Sequence, residues 1–143
     1  MNMQDLSKHV KDIKMNYPTR YSRDMNVLYL FDDKNSDIMF DYAEAERVIQ
    51  MAKEKLEPEL MIVFGSVAGG TANKDSDLDI IIVKESDENM LIRSAKARRA
   101  LKGSKVPIDI IVYTPDEFEF RLTSKYSLPS EALATGRIVH GSV

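Results

Sequence analysis

Three short runs of apolar residues limit what this chain can fold into: Leu60 to Phe64 (LMIVF), Leu78 to Val83 (LDIIIV) and Pro107 to Tyr113 (PIDIIVY). Each has the length of a strand; the first two read as buried strands of a central sheet, and the third as a further apolar strand. Helical signals separate them. Asp41 and Glu44 have capping-box spacing, and Ala45, Val48, Ile49, Ala52 and Leu56 form one apolar stripe that Pro58 ends. Residues 88–102 read as a basic helix. Thr114-Pro115-Asp116-Glu117 is a helix start, with a threonine cap, proline at the first position and glutamate closing the box. A last short helix ends before Gly136, and Arg137 to His140 is a final extended segment. The expectation is an α+β (α/β) domain over residues 41–143.

Residues 1–40 read as an N-terminal extension. Met3, Leu6, Val10 and Ile13 recur at helical spacing, and Tyr17-Pro18 ends that helix. Val27 to Phe31 reads as a strand that Ile38 to Phe40 can join as a hairpin across DDKNSD. The extension could serve as a dimer arm, a partner-docking element or an extra sheet edge, and its residues do not choose.

With 143 residues, one domain is expected, and 43% hydrophobic residues suffice for a core. The absence of cysteine excludes disulfides, thiolate zinc sites and cysteine nucleophiles. His9 and His140 lie near opposite ends and do not make a zinc site. No apolar run approaches the roughly 18 to 20 residues that span a bilayer, and the first residues lack the apolar stretch of a signal peptide. No membrane association and a cytoplasmic location are therefore the expectation. A net charge of −3 argues against a general nucleic-acid coat protein.

The stretch that carries chemistry is GSVAGGTANKDSDLDI, Gly65 to Ile80. Asp77 and Asp79 sit two apart at the start of a strand, so they project to one face. Two adjacent carboxylates repel unless a cation lies between them, and magnesium prefers such hard oxygen ligands. Asp109 is the only acid inside the third apolar run, and it can join the cluster if the strands pair. Three carboxylates with a pair of cations would fit a two-metal phosphoryl-transfer site. Gly65 and Ser66 end a buried strand, where backbone can approach a ligand and free amides can hold phosphate. Asp75 reads as shaping the turn with Ser76. This is not a P-loop, because Thr71-Ala72 stand where lysine and a hydroxyl residue are required. It is not an EF-hand either, because no glycine follows Asp79.

This segment closely resembles the signature of the DNA polymerase beta-type nucleotidyltransferase superfamily: a Gly-Ser turn, an Asp-x-Asp pair about ten residues on, and a third acid on a later strand. The nearest branch is that of the minimal nucleotidyltransferases, which PIDIIVYTPDEFEF and EALATGRIVH also resemble; the likeness covers residues 45–140. It implies a mixed sheet with helices packed on one side. It also implies that Gly65 and Ser66 hold a nucleoside triphosphate, that Asp77 and Asp79 bind two magnesium ions (manganese being able to substitute), and that Asp109 completes the metal site and helps activate the attacking hydroxyl. Many relatives carry arginine where this chain has Val67 and Gly69, and the separate helical acceptor domain of larger relatives has no counterpart here.

The function implied is magnesium-dependent transfer of a nucleoside monophosphate to an acceptor hydroxyl with release of pyrophosphate. The alternative is an antitoxin or binding module that pairs with a HEPN-type helical partner, with or without catalysis. A homo-oligomer stays open. The cations Arg93, Lys96, Arg98, Arg99, Lys102 and Lys105 read either as a solvated helix face or as a contact patch for nucleic acid or an acidic partner.

Overall fold

The computed structural model describes residues 40–141; the helix and hairpin expected in the N-terminal extension lie outside the described residues. In chain order the elements are α1 (Tyr42–Leu56), β1 (Leu60–Phe64), α2 (Gly65–Gly69), β2 (Leu78–Val83), α3 (Met90–Ala100), β3 (Ile108–Tyr113), α4 (Pro115–Leu122), α5 (Leu128–Thr135) and β4 (Arg137–His140). All three apolar runs are strands, and β4 is the expected terminal segment. The strands lie in the order β3-β2-β1-β4. β1 is antiparallel to β2 and β4, and β2 is parallel to β3, with α3 as the crossover. The fold is therefore a mixed-sheet α+β domain.

The continuous apolar character of β1 and β2 means that both sheet faces need cover. On one face Met61, Val63, Ile80, Ile82, Ile110 and Val112 pack with residues of α1 and α3. On the other, Leu60, Ile62, Ile81, Val83 and Tyr113 pack with Phe118 of α4 and with Ala132 and Leu133 of α5. The helices expected on one side thus acquire a second, smaller layer opposite. Each fully buried aliphatic side chain contributes about 1.5–3 kcal/mol relative to exposure, which stabilises both layers.

Local signals set the helix ends. The Asp41 carboxylate accepts the Glu44 N–H at 2.9 Å, and α1 stops at Glu57, in the left-handed region just before Pro58. The expected capping box at α1 does not close. The Glu44 carboxylate, 7% exposed, instead accepts from Arg47 at 2.6 and 2.8 Å and from the Lys105 backbone N–H at 2.7 Å. The bonds from Arg47 within α1 and from Lys105 in the α3–β3 loop together outweigh one local backbone bond. At α4 the capping box is complete between Thr114 and Glu117, with Pro115 in the first turn.

The basic helix spans a shorter range than 88–102, starting after Asn89, whose side chain accepts the Ile92 N–H. Arg93 belongs to neither reading of the cationic face. It is 7% exposed; its Nε donates to the Val112 carbonyl at 2.9 Å, one terminal nitrogen donates to the Glu88 carbonyl, and the other pairs with Glu117. It straps α3 to β3 and α4. Lys96 pairs with Glu88 at 2.6 Å.

Candidate active site

Topology gathers the candidate residues at one end of the sheet. Because β1 and β2 are antiparallel, the end of β1 meets the start of β2, with Phe64 opposite Asp79. Because β2 and β3 are parallel, their starts coincide, with Asp79 opposite Asp109. The Leu78 N–H donates to the Pro107 carbonyl at 2.8 Å and pins this register. Register partners in a sheet project to the same face, so Asp79 and Asp109 share one. It is the face of Ile81, Val83 and Tyr113, the one lined by α4 and α5. That layer stops short of the strand starts, leaving Asp79 half-buried and Asp109 exposed. Asp77 is exposed and precedes β2 by one residue. The exposure of Asp109 removes the burial cost that its apolar neighbours suggested.

Gly65 closes this arrangement. Its φ is +71°, and a Cβ there would lie 2.3 Å from Oδ2 of Asp79. Only a residue without a side chain permits both the left-handed turn and the approach of the carboxylate. The small-residue turn expected from Ser66 is helical at its start: Gly65–Gly69 form α2, whose N-cap, Phe64, supplies no side-chain hydrogen bond. Ser66 is half-buried there, and its carbonyl accepts the Thr71 N–H at 3.0 Å. Val67 is fully buried in the core, whereas Gly69 faces open space, with only Thr71 Oγ1 within 4.0 Å of an added Cβ. The following turn is built by Asn73 and Ser76: Ser76 Oγ accepts the Asn73 N–H at 2.9 Å, and Asn73 Oδ1 accepts the Asp75 N–H at 2.8 Å. Asp75 contributes its backbone to that turn, and its side chain is exposed.

The electrostatics follow from the crowding. Burial, then the negative charge of Asp109, then that of Asp77 push the Asp79 carboxyl up to about 6, and no cationic side chain among the described residues offsets them. Both neighbours therefore act on Asp79 at short range. Hard oxygen donors with unbalanced negative charge suit a divalent cation. Among the described residues, no group of three or more acid or histidine side chains is preassembled to hold a metal ion.

Sequence reading missed the role of Arg93. The signal was its spacing, since Arg93 lies on the same stripe as Met90 and Ala97 and so points inward. Among the described residues, no helix is long and apolar enough to cross a membrane.

A family model for the nucleotidyltransferase domain matches residues 45–134. No curated protein and no solved structure matches the chain.

Proposed function

The chain belongs to the nucleotidyltransferase domain family, and from that premise we propose that it transfers a nucleoside monophosphate from a nucleoside triphosphate to an acceptor hydroxyl. Asp77 and Asp79 would hold two magnesium ions, and Asp109 would complete the set. Magnesium, when bound, neutralises charge on the phosphates and aligns them for in-line displacement. The backbone at Gly65 and Ser66 offers amides at the start of α2 without a side-chain cap, which suits phosphate oxygens. Asp109, on the open edge of the cluster, accepts a hydrogen bond from the acceptor hydroxyl and increases its nucleophilicity. The acceptor hydroxyl gives its proton to Asp109 as its oxygen bonds to the α-phosphorus and the bond to pyrophosphate breaks, and pyrophosphate leaves.

The observation that carries this reading is the joint packing of Asp79 with Asp109 as register partner and with Gly65 pressed against its carboxylate. The α2 helix carries no arginine, so the phosphates depend on the metal for most of their charge compensation. The experiment is to incubate the protein with labelled ATP, GTP, CTP or UTP, magnesium and candidate acceptors, beside calorimetry of ATP binding. We expect transfer from at least one nucleotide, loss of ATP binding in chelator, and a fall in transfer of at least about 100-fold in Asp79→Asn. Equal ATP affinity with and without magnesium would overturn the metal-dependent site.

A second reading, docking on a HEPN-type helical partner, is favoured by Leu91 and Ile92, exposed side by side in the first turn of α3 at 83% and 45%. The same variant separates the two: partner binding that persists in Asp79→Asn while transfer is lost assigns docking to a different surface from catalysis.

A further inference from the structure

The carboxyl ends of β2 and β3 carry a second concave feature, away from the aspartates. A cavity of about 170 Å³ opens between α1, α3 and the β2–α3 loop. Its floor is apolar: Leu56, Ala97, and the register partners Ile82 and Val112. Ile82 and Val112 lie three residues beyond Asp79 and Asp109 along the same strands, about 10 Å away. They face the opposite side of the sheet. Crevices at the carboxyl ends of parallel strands are a recurrent place for ligands in α/β sheets.

The rim is charged but mostly spent. Lys96 is paired with Glu88, and Arg93 with Glu117. Lys84 differs. Its Nζ donates to the Leu56 carbonyl at 2.6 Å, and no acid side chain among the described residues forms an ion pair with it. An ammonium has three donors, so two remain for a ligand. One unpaired cation matches a single negative charge, and Glu85 and Glu88 on the rim oppose a dianion such as phosphate. Cavities of roughly 150 Å³ hold a six-carbon ligand, so this one takes a short chain.

We propose that this cavity binds a small monocarboxylate with a short apolar tail, the carboxylate on Lys84 and the tail over Ile82, Ala97 and Val112. The site does not depend on nucleotidyl transfer.

The test is titration of the full-length protein with sodium butyrate, read from amide chemical shifts, beside butanol and butylamine. Butyrate should saturate in the millimolar range, with shifts concentrated at Ile82, Lys84, Ser86, Ala97 and Val112. Butanol should bind at least about tenfold more weakly, and butylamine should not bind. Lys84→Met, which keeps the stem and removes the charge, should weaken butyrate about tenfold or more, whereas Asp79→Asn should leave it unchanged. Absence of saturation by about 100 mM butyrate, butanol binding as tightly as butyrate, or undiminished affinity in a folded Lys84→Met protein would each overturn the proposal.

Discussion

Gly65 carries two constraints at once, a left-handed φ and the Asp79 carboxylate where its side chain would be. An alanine at this position meets both. The left-handed conformation costs roughly 1–2 kcal/mol for a residue with a Cβ, and the 2.3 Å approach forces the carboxylate or the turn to move. Gly65→Ala should therefore lower stability by about 1–3 kcal/mol. It should also weaken magnesium-dependent ATP binding, because the displaced group is the most buried of the three acids. A melting curve paired with ATP calorimetry checks both. Unchanged ATP affinity in Gly65→Ala would mean that the carboxylate's position against the turn does not matter to the nucleotide.

At the scale of elements, β3 is positioned by a side chain rather than by a strand on its outer side. Val112 offers its carbonyl to Arg93 Nε at 2.9 Å and its N–H to Ser94 Oγ at 3.0 Å. The crossover helix α3 thus satisfies the edge of the strand that bears Asp109 at its other end. Replacing Arg93 by methionine keeps the apolar stem and removes the bonds to two carbonyls and the Glu117 carboxylate. Leaving buried acceptors unmet costs about 1–3 kcal/mol each, partly offset where water enters. Arg93→Met should destabilise the protein by about 2–4 kcal/mol and loosen β3 against α3. Denaturant unfolding gives the first. Faster amide exchange along β3, from Ile110 to Tyr113, gives the second; exchange unaltered there would remove the strap from the account.

For the whole molecule, two carboxyl groups pull stability in opposite directions with pH. Glu44 is held down at about 2, first by its hydrogen bond from Arg47 and further by the Lys105 N–H. Its folded value lies below the unfolded one. Its stabilisation is therefore present above about pH 4.5 and lost as pH falls toward 2. Asp79 has the reverse sign. Raised to about 6 from 3.8, it holds its proton more tightly in the folded state, so stability falls as pH rises from about 4 to 6 and stays level above. Solvent screening of this half-buried group limits its share to about 1 kcal/mol. Taken together, these two groups favour the metal-free fold most near pH 4.5. Asp79→Asn should lessen the decline between pH 4 and 6, leaving the part due to Glu59, whose carboxyl burial also raises, and raise stability at pH 7 by about 1 kcal/mol. Melting in chelator from pH 3 to 8 tests this, and a parallel pH profile in the variant would refute the sign given to Asp79.

Much of this architecture was legible in the residues themselves. The short apolar runs read as strands, and Pro58 and the Thr114 capping box mark helix ends by local sterics and hydrogen bonding. These are short-range properties, expressed within a few residues of chain. What lies between distant segments was decided by the tertiary structure. Glu44 left its expected local box because a loop 61 residues away presents a backbone N–H to it. Arg93 turned from a surface cation into a buried strap because three elements converge on it. The second helical layer exists because both faces of β1 and β2 are apolar, while the choice of α4 and α5 to cover it depends on how β3 turns back. Asp79 and Asp109 became neighbours through strand direction and register, which no local pattern encodes. The acids are named by the sequence; the repulsion among them arises only when the sheet brings their charges within reach of one another.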